Sequence, residues 1–384
     1  MLITRIETIP VAIPYAERIR ERVRSGWGGM EPPVVRTAVY RVTSDEGHVG
    51  VAESPEQGGE ELAAFVGRNP LELLRDDRVG PIQAALYDLV GRSAGLPAHR
   101  LLGPQHRSQV ASAFWSHAFA PDDLADEARI AAASGFTVHK IKARPYTDPV
   151  AQLAAIAAVA PAGYRVAIDA NGSWATAAEA TGVIRALAAE TVLWALETPI
   201  PQDDIAGYQL LRSRFPYPIG IHTGRPPMLT AIAAGMCDAF VIELEGAMTT
   251  LEQAAIARAT SGTFARAVVD RSVDVPRWVE DAAGTGLEQL FGAHLVSTPR
   301  GLPIWIENGL YSGLSAAFQL HLAATIPNDV LAITLTFLLE DDLTVEPLVI
   351  RDGFAAVPAG PGLGVTLDEN ALDRYRTGRG WTST

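Results

Sequence analysis

Of the 31 lysines and arginines in the chain, only Lys140 and Lys142 are lysine. They alternate in the segment Val138-His-Lys-Ile-Lys142, so in a strand both point to one side. Arginine serves as generic surface charge, whereas lysine can also lose its proton and act as a base. Two lysines kept side by side point to an ammonium that chemistry requires. Downstream, apolar runs end in polar residues: Ile168-Asp-Ala-Asn171, Leu196-Glu-Thr-Pro199, Ile221-His-Thr-Gly224 and Ile242-Glu-Leu-Glu245. Asp169 and Glu197 close two neighbouring runs, and paired carboxylates suit a hard divalent ion such as Mg²⁺ with oxygen ligands. A lysine beside such an ion fits removal of the proton next to a carboxylate. That proton is weakly acidic, and a metal stabilises the enolate charge as it develops.

These side chains meet only if the runs are parallel strands of one sheet. Strands are expected at 109–115, 138–143, 165–170, 193–198, 218–222 and 239–244. Alanine-rich helices are expected at 121–134, 148–159, 175–189, 203–214, 227–235 and 250–261. Strand and helix alternate at roughly thirty-residue spacing, the signature of parallel βα units. No G-x-G-x-x-G follows the first of these strands, which argues against an open dinucleotide-binding sheet. A chain of 384 residues suits an α/β TIM-type barrel of about 250 residues with a smaller domain, and the active site of such a barrel lies at the C-terminal ends of its strands. We place the barrel at 109–345. Residues 1–108 read as an α+β capping unit with strands at Ile3–Pro14, Val34–Thr43 and His48–Ala52, a turn at Ser44-Asp-Glu-Gly47, and helices around 58–66 and 80–95. The tail 346–384 is expected to complete this cap.

An internal repeat interrupts the barrel pattern. Pro276-Arg-Trp-Val-Glu280, Gly286-Leu287, Phe291, His294-Leu295 and Thr298 recur as Pro303-Ile-Trp-Ile-Glu307, Gly313-Leu314, Phe318, His321-Leu322 and Thr325. Tandem duplication of a strand-helix unit accounts for the match, with the second copy taken as strand seven and a last strand near 331–337. Trp278, Trp305, His294 and His321 read as packing residues.

The net charge of −13, with no basic run, argues against nucleic acid and anionic membrane as partners. The single cysteine, Cys237, excludes an internal disulfide, and no signal-peptide pattern opens the chain, so a cytoplasmic protein is expected. Its longest apolar runs fall well short of the roughly 20 residues that span a membrane.

Taken together, Lys140-x-Lys142, Asp169-x-Asn171 and Glu197 resemble the mandelate racemase and muconate lactonising branch of the enolase superfamily, whose members pair a lysine or histidine base with Mg²⁺. Leu101-Leu-Gly103 is similar to its linker into the barrel, and Pro361-Gly-Leu-Gly-Val365 with Leu367-Asp368 to its C-terminal signature. The resemblance implies a modified (β/α)7β barrel, Lys142 as base with Lys140 assisting, Asp169 and Glu197 as two of three ligands to Mg²⁺ (or Mn²⁺), and a homo-oligomer. It also exposes departures. His222 stands where the family has a third carboxylate, leaving nitrogen ligation or a water to fill that place. No further lysine is left as a second base; Glu307 occupies the strand-seven position of the usual histidine. Glu243 lies near the usual aspartate, as a ligand or an acid-base group. Thr334 falls near a position often held by glutamate. Asn171 reads as a positioning residue near the substrate, and Trp27, in the glycine-rich loop 26–30, as part of a lid over it.

Three functional readings follow. The leading one is a dehydratase of a small carboxylate (a hydroxy acid, sugar acid or hydroxylated amino acid), because β-elimination needs one strong base and an acid. The second is a racemase or epimerase with Glu307 or Glu243 as the opposite base. The third is a barrel without catalysis, motivated by the missing third carboxylate and by the duplication next to strand seven.

Overall fold

The computed structural model describes residues 1–26, 33–57, 59–259 and 301–384. Their alternating β-branched runs form an antiparallel sheet from β1 (Ile3–Pro14), β2 (Val34–Ser44) and β3 (Val49–Ser54). The chain's final strand, β14 (Trp381–Ser383), joins its other edge, giving the order β14-β1-β2-β3. Between β2 and β3 the turn needs Gly47 at φ 83°, a left-handed conformation that glycine adopts without strain. Gly50 on β3 serves close packing: a Cβ there would lie 2.0 Å from the Ala85 carbonyl oxygen of helix Gln83–Ala94.

The second sheet closes on itself. Eight parallel strands follow in order: β4 (Gln109–Ser116), β5 (Val138–Lys142), β6 (Arg165–Asp169), β7 (Leu193–Glu197), β8 (Ile219–His222), β9 (Ala239–Glu243), β10 (Ile304–Glu307) and β11 (Val330–Thr334). β11 pairs with β4, Leu331 opposite Ala111 and Thr334 opposite Phe114. The expected TIM-type barrel is therefore present, and the second repeat copy supplies its seventh strand. The first copy, with Trp278, Glu280 and His294, lies outside the described residues, as does Trp27. Helix termini follow local chemistry: Asp148 and Thr176 cap the helices after β5 and β6 with side-chain oxygens.

Two expectations need correction. The last barrel strand ends at Thr334, not 337, because Thr336–Leu338 forms a 3-10 turn. That turn brings the Leu338 carbonyl to the Ala16 N–H (2.8 Å) and the Glu340 N–H to the Pro14 carbonyl (2.9 Å), docking the chain on the cap. The tail also divides between the two sheets. β12 (Ile350–Arg351) and β13 (Phe354–Ala356) form a hairpin whose second strand pairs antiparallel with β4, whereas β14 pairs with β1.

Cap and barrel share buried surface. Helix Gly313–Thr325 is buried along its whole length, and its Ala317, Phe318 and Leu322 pack with cap residues such as Leu86 and Tyr87. Glu53 of β3 reaches the start of this helix. Its carboxylate accepts from the Ser312 N–H (2.7 Å), the Ser312 hydroxyl and the Thr37 hydroxyl (2.9 Å). An anion at a helix N-terminus meets unpaired N–H groups and the positive end of the dipole. Burial pushes this carboxyl up to about 7 against the pull of those hydrogen bonds. Glu53→Ala strips three buried donors of their acceptor and should lower unfolding free energy by about 2 kcal/mol or more. Urea denaturation checks this, and an unchanged midpoint would contradict the role.

Candidate active site

Strand register brings the functional side chains to one level. Lys142 pairs with Asp169 and Asp169 with Glu197, so three neighbouring strands end on a base and two carboxylates in a row. Across the mouth Glu243 pairs with Glu307 in the same way. Along β5 the two-residue alternation gives Lys140 and Lys142 to the site. It leaves His139 on the opposite side, edge-on to Phe114 with ring centroids 5.2 Å apart.

At the centre sits the Lys140 ammonium, 1% exposed. It lies 2.8 Å from both oxygens of Glu197, 3.3 Å from Asp169 Oδ2, and in close contact with Glu307. Lys142 Nζ donates to Asp169 and, at 3.1 Å, to Asn171 Oδ1, and lies 6.0 Å from the Trp115 ring centroid. Asp169 Oδ1 in turn accepts the Asn171 N–H at 2.9 Å. On the far side His222 Nε2 is 2.9 Å from Glu197 Oε1, without the alignment of a hydrogen bond. Its Nδ1 is 3.9 Å from Glu243, and its Nε2 is 3.9 Å from Glu307. Asn171 and Thr198 hold positive φ, 46° and 41°. For the β-branched Thr198 this is a strained conformation. Both residues stand just beyond strand ends, where the Gly172 N–H donates to the Thr198 carbonyl at 2.6 Å and ties the two loops together.

The charges explain one another. Burial works against the Lys140 ammonium, yet Glu197, Glu307 and Asp169 outweigh it and hold its pKa above the ordinary lysine range. Burial likewise opposes the Asp169 and Glu307 carboxylates, but Lys140 and Lys142 hold both below the ordinary range. Glu197 is pushed up to about 7 by burial and by the adjacent Asp169 charge. Glu243 is raised by burial and by Glu307. His222 is raised because Glu197 and Glu307 outweigh its burial.

The structure thus brings Lys140, Lys142, Asp169, Glu197, His222, Glu243, Glu307 and Asn171 together. Sequence reasoning missed two neighbours. Arg144 extends the Lys140–Lys142 alternation and donates to Asn171 Oδ1. Trp115, at the end of the adjacent strand β4, faces Lys142. The alternation was a readable signal for Arg144; nothing in sequence singles out Trp115 among the seven tryptophans.

A divalent cation fits the donor set. Asp169, Glu197 and His222 each offer one ligand atom, all within 4.8 Å of one another; His222, Glu243 and Glu307 form a second such group. The first group is the more enclosed, because Glu243 is exposed. His222 Nε2 is buried and makes no hydrogen bond, a condition that a cation would relieve, whereas both Glu197 oxygens already meet the Lys140 ammonium at 2.8 Å. Four carboxylates, Asp169, Glu197, Glu243 and Glu307, face the two lysine ammoniums here, so carboxylates outnumber lysines before His222 or any proton is counted.

Comparison with known proteins follows this geometry. A family model described as enolase C-terminal domain-like matches residues 123–275 and 259–371. Muconate cycloisomerase 1-2 of Acinetobacter lwoffii is 27% identical over 303 residues, covering 77% of this chain and 69% of its own length. Cis-3-hydroxy-L-proline dehydratase of Roseibium aggregatum is 27% identical over 215 residues, covering 49% of this chain and 57% of its own length. N-succinyl Arg/Lys racemase from Bacillus cereus superposes with a TM-score of 0.72 over 100% of this chain and 99% of that one, at 16% identity, which is a likeness of fold.

Removing the central ammonium tests the electrostatic account. Lys140→Met leaves three buried carboxylates without their shared cation and should cost about 3 kcal/mol or more at pH 8. The folded-state pKa of Glu197 is raised, to about 7, so its proton is retained in the fold at low pH and lost as pH rises. The penalty should therefore be smaller at pH 5 than at pH 8, as thermal unfolding at the two pH values will show; an equal penalty would contradict the account.

Proposed function

The chain belongs to the enolase C-terminal domain-like family, and from that premise we propose that it removes the proton α to the carboxylate of a small hydroxylated acid and eliminates water. The observation that carries this reading is Lys142. Its amine is held at the barrel mouth between Asp169 and Asn171, at the end of a strand whose neighbours end in Asp169 and Glu197. After giving its own proton to solvent, the neutral Lys142 amine takes the α-proton on Nζ, and Asn171 and Asp169 fix where that nitrogen points. Asp169, Glu197 and His222 would hold a divalent cation, which would supply Lewis-acid stabilisation of the developing enolate charge; Mg²⁺ is the ion expected from the family resemblance, with Mn²⁺ as the alternative. Lys140, locked by Glu197 and Glu307, keeps a permanent positive charge next to those ligands and assists electrostatically. As the enolate electrons return, the β-hydroxyl leaves and needs a proton. Glu243 is better suited to give it than Glu307. It is exposed at the mouth and raised in pKa, whereas Glu307 is held ionised by the lysines. The dehydratase relative, named for cis-3-hydroxy-L-proline, supports a hydroxylated amino acid among the candidate substrates.

One observation favours a second reading, racemisation. Glu307 is an ionised carboxylate on β10, across the mouth from Lys142, in the place of an opposite base. Its close pairing with Lys140 weakens it in that role, so elimination stands first.

Incubating the protein and a divalent cation with a panel of 3-hydroxy amino acids, hydroxy acids and sugar acids separates the readings by product. A 2-keto acid, trapped as its semicarbazone, is expected from at least one member, with activity falling about 10²-fold or more in Lys142→Ala. Inversion at the α-carbon without loss of water would establish the second reading instead. Neither product from a broad panel would contradict both.

A further inference from the structure

His222 puts a nitrogen among the proposed ligands. Its Nε2 lies 2.9 Å from Glu197 Oε1 and shares a cluster with Asp169 and Glu197 in which one ligand atom from each lies within 4.8 Å of the others. The ring nitrogen is buried and makes no hydrogen bond, a condition that a cation would relieve. Glu197 is wholly buried and meets the Lys140 ammonium with both oxygens. The three donors come from neighbouring strands, and two are carboxylates while the third is imidazole.

We propose that this donor set selects a later first-row ion, of the Co²⁺ or Zn²⁺ type, over Mg²⁺; the inference rests on the reading of Asp169 and Glu197 as metal ligands. Mg²⁺ binds oxygen donors and gives up water reluctantly. Imidazole nitrogen favours the later first-row ions, whose affinity for nitrogen ligands rises along the series. Replacing one carboxylate by a neutral ring also removes a negative charge from the set. That loss weakens Mg²⁺, held largely by charge, more than an ion that gains a metal–nitrogen bond. The surroundings of the ring agree. Nδ1 points toward Glu243, 3.9 Å away, placing a carboxylate on the nitrogen opposite the ligand position. A carboxylate drawn to that nitrogen fixes the tautomer and raises the basicity of a metal-binding histidine. The second group, His222 with Glu243 and Glu307, is the poorer site: Glu243 is exposed and Glu307 is already paired with Lys140.

The full-length protein, freed of metal by chelation, is titrated by calorimetry with Mg²⁺ and with Co²⁺, in wild type, Asp169→Ala and His222→Asp. Wild type should bind Co²⁺ far more tightly than Mg²⁺. In His222→Asp the ratio of the two affinities should shrink by about tenfold or more. Pulsed electron paramagnetic resonance of Mn²⁺-loaded wild type needs no variant: nitrogen-14 coupling from a directly bound imidazole is expected. Binding that Asp169→Ala abolishes, but without nitrogen coupling and with the same ratio in His222→Asp, would overturn this proposal and leave the two-carboxylate site standing. No binding of either ion in wild type would overturn the site and the proposal together.

Discussion

The barrel mouth depends on one ammonium. Lys140 is buried and touches Glu197, Glu307 and Asp169, carboxylates from three other strands. Like charges gathered in a low-dielectric interior repel strongly, and a buried cation among them is held ionised in return. This mutual compensation allows carboxylates to converge at the strand ends without wholesale protonation. It also sets Glu197 apart: burial and the Asp169 charge push its carboxyl up to about 7, and it faces His222, which is raised in turn by Glu197 and Glu307. A divalent cation held by both would compete with both protons, so metal occupancy and pH would be linked through Glu197 and His222 together.

Position follows from register. Parallel pairing sets Lys142, Asp169 and Glu197 level, and the strand ends then turn sharply through Asn171 and Thr198 at positive φ. The Glu53–Ser312 contact ties the cap to the start of helix Gly313–Thr325, which follows β10 and Glu307 in the chain.

Much of this was legible in sequence because parallel barrel strands are short apolar runs that end at chemistry. The Lys140-x-Lys142 alternation, Asp169 and Glu197 stood out by that rule, and strand boundaries fell within a residue for β4 to β9. The rule fails where the polar residue belongs to neither a strand end nor a motif. Glu53 sits in an ordinary cap strand, and its partner is 259 positions away, a separation that no local pattern reports. The pairing of Lys140 rather than Lys142 with Glu307 depends on the barrel's closure, whereas the approach of His222 to Glu197 follows from the pairing of neighbouring strands β7 and β8. The end of β11 was misplaced because Leu335–Leu339 is apolar enough to continue a strand, yet turns to meet Pro14 and Ala16 of the cap.

The central claim is that Lys142, and not Lys140, moves the α-proton. Proton NMR in deuterated buffer tests it, following exchange of the α-hydrogen of a carboxylate ligand that lacks a β-leaving group. Wild type should wash deuterium into the α-position. Lys142→Ala should abolish exchange while still binding a divalent cation by calorimetry. Exchange that persists in Lys142→Ala at the wild-type rate would contradict the account and move the base elsewhere in the cluster.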